Sequence, residues 1–267
     1  MSITYNRTVK STTKLSILLL LVSLIGCDKE KDSIPTGIYL KRVIYHQNAD
    51  QIRYYHYNNS GRLSSREYKF DNTTIDKFDY QYDNNLVDRI NYYTIQSNTD
   101  HTLIQKNYVE YDYEANKIVK STLLPENSVV TYVYDLNNRV IQVNKASSIV
   151  KYEYDNLGNI KKATHFNDGI EEAKSCYEYD DKKNPFFRVD PIHEKYTEID
   201  LIGYACPNNL IKYTYIQANL DTLMNSEYIF KYDNNKMPVE SYEIYTSKSN
   251  GYDRDTMNLR LYEYEIQ

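Results

Sequence analysis

The sequence predicts an all-β fold, an antiparallel meander of repeated hairpins forming a large curled sheet or a partly closed two-layer sheet. Three observations predict it. Tyrosine is the compositional outlier, with 31 copies in 267 residues and no tryptophan. The tyrosines recur in a fixed phrase, two aromatics flanking one residue, then Asp, Asn or Glu. No amphipathic stretch of helical period and about 12 residues interrupts these phrases.

In chain order, the leader comes first. Residues 1–26 carry Arg7, Lys10 and Lys14 and no acid, followed by an apolar run from Leu15 to Ile25. This is the basic-then-apolar order of a secretory signal peptide. Its 11 residues fall short of the roughly 20 that a membrane-spanning helix needs. The run ends in Leu24-Ile25-Gly26-Cys27, which resembles the bacterial lipobox. That resemblance implies cleavage before Cys27 and lipid on its thiol, hence attachment to a membrane through the new N-terminus. A plain secretory signal with a chance cysteine is the alternative. Residues 27–37 are charged and then Pro- and Gly-bearing, a solvated tether with little to bury. Acids and lysines just after Cys27 resemble the surface-export signals of Bacteroidota lipoproteins, which implies the outer membrane, with cell-surface display favoured over the periplasmic face.

Residues 38–267 read as a single β domain. The phrase occurs at Tyr55-His56-Tyr57-Asn58, Tyr80-Gln81-Tyr82-Asp83, Tyr111-Asp112-Tyr113-Glu114, Tyr132-Val133-Tyr134-Asp135, Tyr152-Glu153-Tyr154-Asp155, Tyr177-Glu178-Tyr179-Asp180, Phe230-Lys231-Tyr232-Asp233 and Tyr262-Glu263-Tyr264-Glu265. Residues two apart share a face of a strand, so each aromatic pair forms a stripe opposite a polar face. Turn residues follow, as in Asn58-Asn59-Ser60-Gly61 and Asp155-Asn156-Leu157-Gly158. Asp or Asn bonds the backbone two residues on, and Gly or Asn later in the turn accepts positive φ. An apolar strand then resumes, so each phrase opens a hairpin with a turn of about four residues. A sheet of so many strands curls until its tyrosine face closes on itself or on a neighbouring layer. The 53-residue interval between Tyr179 and Tyr232 has room for one degenerate unit around Tyr213-Thr214-Tyr215.

This repeat resembles the YD repeat of RHS-type shells and of uncharacterised surface or outer-membrane lipoproteins of Bacteroidota, Tyr152-Glu153-Tyr154-Asp155-Asn156-Leu157-Gly158-Asn159-Ile160 being the cleanest copy. Asn184-Pro185-Phe186 and Asn208-Asn209 are similar to elements of those lipoprotein domains. The resemblance covers most of residues 50–265 and implies antiparallel sheet without enzymatic activity. RHS shells are many times longer, and only Gly61 and Gly158 take the usual turn position here. An enclosed cocoon is therefore not expected.

The chain carries a net charge of -5, and loss of the leader removes three more positive charges, so there is no electrostatic footprint for nucleic acid. The five histidines, His46, His56, His101, His165 and His193, have no paired ligand spacing, and neither a metal nor a cofactor is expected. Asp71, Asp76, Asp79 and Asp83 lack the glycine-bearing loop of a calcium site and read as a solvated acidic face. Cys176 and Cys206 form either a disulfide, as an exported protein allows, or two free buried thiols. Ser33, Thr222 and Thr256 each sit in an Asp-Ser/Thr-apolar sequence resembling the O-glycosylation sequon of exported Bacteroidota proteins. Tyrosine stripes invite glycan stacking, yet a motif present in every hairpin is better explained by packing. The resulting expectation is a non-enzymatic envelope lipoprotein, a scaffold or binding module with a glycan or envelope-protein partner. The alternative is an accessory protein or hydrolase of a polysaccharide-uptake system, using Glu194, Glu198 or Asp200.

Overall fold

Period-2 alternation organises the chain into sixteen strands, seen in a computed structural model that describes residues 38–46, 50–70, 73–95, 102–187, 189, 204–218, 223–247 and 256–266. All of them belong to one unit, Asp32–Gln267. The first eight strands are β1 (Ile38–His46), β2 (Asp50–Tyr57), β3 (Leu63–Phe70), β4 (Thr73–Asp83), β5 (Leu86–Ile95), β6 (Leu103–Glu114), β7 (Lys117–Leu124) and β8 (Ser128–Tyr134). The rest are β9 (Val140–Lys145), β10 (Ser148–Tyr154), β11 (Ile160–Asn167), β12 (Ile170–Lys183), β13 (Asn208–Gln217), β14 (Leu223–Tyr232), β15 (Pro238–Ser247) and β16 (Thr256–Ile266).

Each strand pairs with its neighbours in sequence, and β1 pairs antiparallel with β16, so the sheet is a closed barrel. The expected all-β antiparallel meander is present, and the expected curled or partly closed two-layer sheet is corrected to full closure. The reason lies in the eighth phrase. Seven phrases, on β2, β4, β6, β8, β10, β12 and β14, are each followed in sequence by the strand they pair with. The eighth, on β16, takes β1 as its partner, Leu40 lying opposite Tyr264 and Val43 opposite Tyr262. Closure removes both edges, the usual liability of a long sheet.

The eight pairs share one irregularity. Opposite the second tyrosine of each phrase the partner strand carries one extra residue, seen as register breaks at Tyr57, Tyr82, Tyr113, Tyr134, Tyr154, Tyr179, Tyr232 and between Leu40 and Arg42. Bulges of this kind increase local twist and bend a sheet toward closure.

The first aromatics point inward, with Tyr55, Tyr80, Tyr111, Tyr152, Tyr177 and Tyr262 buried among Leu40, Val43, Leu63, Ile90, Val109, Ile160 and Ala163. The residues between them point outward. Ion pairs stud that outer wall, including Arg42–Glu263 (2.6 Å), Lys77–Asp79 (3.1 Å), Lys120–Asp112 (2.5 Å), Lys162–Glu153 (2.7 Å), Lys212–Glu178 (3.4 Å) and Arg89–Glu110.

Turns after the phrases gather at one end of the barrel. Asn58, Asp135, Asp155 and Asp233 each accept two backbone N–H bonds through Oδ1, from the residues two and four positions on. The fourth turn residue then has φ of +70° at Gly61, 63° at Asn138, +92° at Gly158 and 62° at Lys236. Asp83 and Glu114 instead lead two-residue turns, Asn84-Asn85 and Ala115-Asn116, all four residues at positive φ.

Among the described residues, the long Tyr179–Tyr232 interval shows no extra unit. Tyr213 and Tyr215 lie on β13, the ordinary partner of β12, opposite Tyr177 and Ser175. The described residues on either side of the insertion close together as the two ends of a turn do. Asp180 Oδ1 accepts the N–H groups of Lys182 (2.9 Å) and Asn209 (3.1 Å), the same pair of bonds that a short turn makes, with the connection looped out between them.

Candidate functional site

The turn end is lined by a belt of phenols. The second tyrosine of each phrase points inward and donates its hydroxyl to a backbone carbonyl on the strand before it: Tyr57 to Leu40, Tyr82 to Leu63, Tyr113 to Val87, Tyr134 to Ile118, Tyr154 to Val140, Tyr179 to Ile160 and Tyr264 to Pro238, at 2.6–2.9 Å. Tyr232 departs from the pattern, because its preceding turn is the enlarged one. It donates to Asp180 Oδ2 and accepts from Asn209 Nδ2 (3.3 Å). The first aromatic of a phrase can be Phe230, but the second is tyrosine in all eight, because only a phenol reaches the carbonyl.

The β12–β13 connection folds inward from this same end. Asn184 ties its base, donating its amide side chain to the Cys206 carbonyl (2.8 Å) and its backbone N–H to Pro207 (2.9 Å), while Asn159 and Asn208 exchange two further bonds. Phe186 then packs on Tyr55, Tyr204 and Tyr262 at centroid distances of 6.3, 5.8 and 6.0 Å, and Val189 joins the same core. The Tyr204 hydroxyl lies 3.3 Å from that of Tyr55 and accepts from Arg66 Nη1 (3.0 Å). Burial, reinforced by Tyr204, holds the Tyr55 phenol well above its ordinary pKa.

Beyond the belt and the connection, the interior changes character. Arg53 on β2 lies opposite Val43 and Tyr68, Arg66 on β3 opposite Tyr55 and Phe78, and Arg260 on β16 opposite Tyr45 and Ser241, all inward positions. The Arg53 guanidinium sits over the rings of Tyr45 (5.1 Å) and Tyr68 (5.4 Å), with Arg66 as its like-charged neighbour. Arg66 lies over Phe78 (4.6 Å), and Arg260 over Tyr45 (5.5 Å) and Tyr228 (5.3 Å). Cation–π contact of this kind pins a guanidinium without satisfying its N–H donors. Two inward carboxylates are already engaged. Glu243 pairs with Arg260 Nη2 (2.5 Å) and accepts the Tyr228 hydroxyl (3.0 Å), and Asp76 accepts that of Tyr92 (2.8 Å). The Arg260 and Glu243 side chains remain 25% and 15% accessible, so the lumen is not filled at this level. An aromatic chamber with an excess of fixed positive charge is suited to holding an anion.

The residues singled out from sequence are placed as follows. Cys27, Ser33, Thr222, Glu194, Glu198 and Asp200 lie outside the described residues. Thr256 opens β16 opposite Tyr245. Cys176 and Cys206 are free thiols, which corrects the disulfide reading. Ser175 and Tyr177 face inward on β12, so Cys176 between them faces outward, whereas Cys206 is fully buried inside and takes the Ile160 N–H at 3.3 Å. The barrel wall separates the two sulfurs, and burial pushes the Cys206 thiol up to about 11. The acidic run is also dispersed. Asp76 faces the lumen, Asp79 pairs with Lys77 outside, Asp83 leads a turn, and Asp71 lies outside the described residues. Among the described residues no three His, Cys, Asp or Glu side chains converge as a metal site, and no helix is long and apolar enough to cross a membrane.

No family model and no curated protein matches the chain. Among solved structures, a porin-like protein from Bacteroides uniformis is similar, with a TM-score of 0.53 at 13% identity over 86% of this chain and 96% of that one. A second porin-like protein, from Bacteroides vulgatus, covers 84% of this chain and 97% of its own at 12% identity and a TM-score of 0.42. The first likeness is one of fold.

Proposed function

We propose that this chain is a non-enzymatic, lipid-tethered envelope protein whose barrel stands in water and binds a ligand in its arginine–tyrosine lumen. The observation that carries this reading is the polarity of the wall. A barrel that crosses a bilayer with its strands turns an apolar band outward, and each Lys or Arg at the midplane of that band costs about 2–4 kcal/mol. Here Lys120, Lys151, Lys162, Lys174 and Lys212 project outward from the middle of β7, β10, β11, β12 and β13. Tyrosines fill the inside instead. That pattern supports a water-facing wall, and lipid on Cys27 then supplies the attachment that the strands do not. The leader, the tether and the outer-membrane address rest on the lipobox-like sequence and the charged residues that follow it.

The test has two arms. A chain starting at Asp28, made without lipid, is expected to remain a monomer with β-type circular dichroism in detergent-free buffer. In the native host, Cys27→Ala is expected to move the protein from the membrane to the soluble fraction. A chain that stays in solution only with detergent and inserts into liposomes would overturn the reading.

A further inference from the structure

We infer that the lumen beside Tyr45 is a binding site for a carboxylated sugar, a uronic-acid residue of an acidic glycan; this rests on the water-facing binding module proposed above. Arg53 is the central observation. Its guanidinium faces the barrel interior, half-buried and charged at every physiological pH, against the ring faces of Tyr45 and Tyr68. A guanidinium has five N–H donors, and none of those on Arg53 is both buried and unpaired, so they stay within reach of an anion entering the lumen. Arg260, on the other side of the same Tyr45 ring, repeats the situation in part. Its Nη2 holds Glu243 while its guanidinium stays against the ring.

Two arginines flank one tyrosine, and Arg66 adds a third positive charge next to Arg53. The geometry supplies what a carboxylate requires, planar N–H donors set between ring faces inside the barrel, where charge-assisted bonds are stronger than on the open surface. The rings of Tyr45, Tyr68 and Phe78 add flat apolar faces of the kind that pack on a pyranose ring. Held among the pinned arginines, a sugar carboxylate accepts from the Arg53 guanidinium while its ring lies against tyrosine.

The experiment is isothermal titration of the full mature protein with trigalacturonate, its fully methyl-esterified form and inorganic phosphate. Trigalacturonate is expected to bind with an affinity that falls as salt is raised, and the ester at least tenfold more weakly. Arg53→Gln is expected to weaken trigalacturonate at least tenfold, and Arg89→Gln, an outer-wall change, to leave it unaltered. Should Arg53→Gln lose its β circular dichroism, Arg53→Lys replaces it, with a smaller loss expected. Equal binding of ester and acid would overturn the charge assignment while leaving the binding-module reading standing. Phosphate competing at equal affinity would overturn the sugar assignment, and failure of all three probes to bind would overturn the site.

Discussion

A phenol at the second position of each phrase does two jobs, filling the interior with its ring and closing a backbone carbonyl with its hydroxyl. Tyr154→Phe keeps the first and removes the second, leaving the Val140 carbonyl without its 2.6 Å partner. The expected loss is about 1 kcal/mol, read as a lower urea midpoint with an unchanged slope. Tyr232→Phe is expected to cost more, about 1.5–3 kcal/mol, because its acceptor is the Asp180 carboxylate. The belt also sets the alkaline limit. Burial lifts the Tyr134 phenol from its ordinary 10.0 to about 12, and it raises Tyr154, Tyr179 and Tyr264 as well. Below pH 10 both folded and unfolded chains keep these protons, so this part of the stability is intact there. Above it the unfolded chain sheds protons that the barrel retains, and stability falls as pH climbs toward 12. Thermal melts between pH 8 and 11.5 are expected to show that fall. The residues of the lumen differ in how readable they are. Arg53 and Arg260 lie two positions before Tyr55 and Tyr262, on the tyrosine face, and parity alone finds them. Arg66 defeats parity, since counting by twos from Leu63 puts it outside, and the extra residue Ser64 opposite Tyr57 shifts it inward.

At the scale of the hairpin, the Asx turn is the unit that sequence describes best. Asp155→Ala removes the acceptor for the Leu157 and Asn159 N–H groups and for the Asn159 side chain, and a loss of about 1–2 kcal/mol is expected by analogy with capping residues. Gly158 sits at φ +92° with open space where a Cβ would lie. Gly158→Asn should therefore be nearly neutral, as Asn138 already occupies the equivalent place at 63°, whereas Gly158→Val should cost over 1 kcal/mol, because a β-branched residue resists positive φ. Differential scanning calorimetry of the two variants distinguishes them. The enlarged β12–β13 turn was hidden because its signature is tertiary. Asp180 and Asn209 perform the local bonds of an ordinary turn although 29 positions separate them, and nothing in the spacing of aromatics distinguishes a looped-out connection from a worn repeat. The two thiols mislead for a related reason, since a pair of cysteines carries no mark of the side of the wall each one faces.

For the molecule as a whole, eight phrases and the need for every strand to have two neighbours were both present in the sequence. The pairing of the eighth phrase with β1, which precedes the first phrase, is long-range and leaves no local mark in the sequence. Removal of residues 38–46 is expected to expose the edges of β2 and β16 and convert a monomer into aggregates on size-exclusion chromatography. A circular permutant joining residue 267 to residue 38 through a short linker, with new termini between Leu136 and Asn137 in an exposed turn, is expected to fold and melt within a few degrees of the parent. The seam between β1 and β16 also sets a direction. β1 begins beside the end of β16, Ile38 opposite Ile266, at the rim where the Asp turns gather. The chain therefore enters the barrel at the rim of the Asx turns, so that a truncation or fusion just before Ile38 acts on that rim and leaves the arginine-lined part of the lumen, on the far side of the tyrosine belt, untouched.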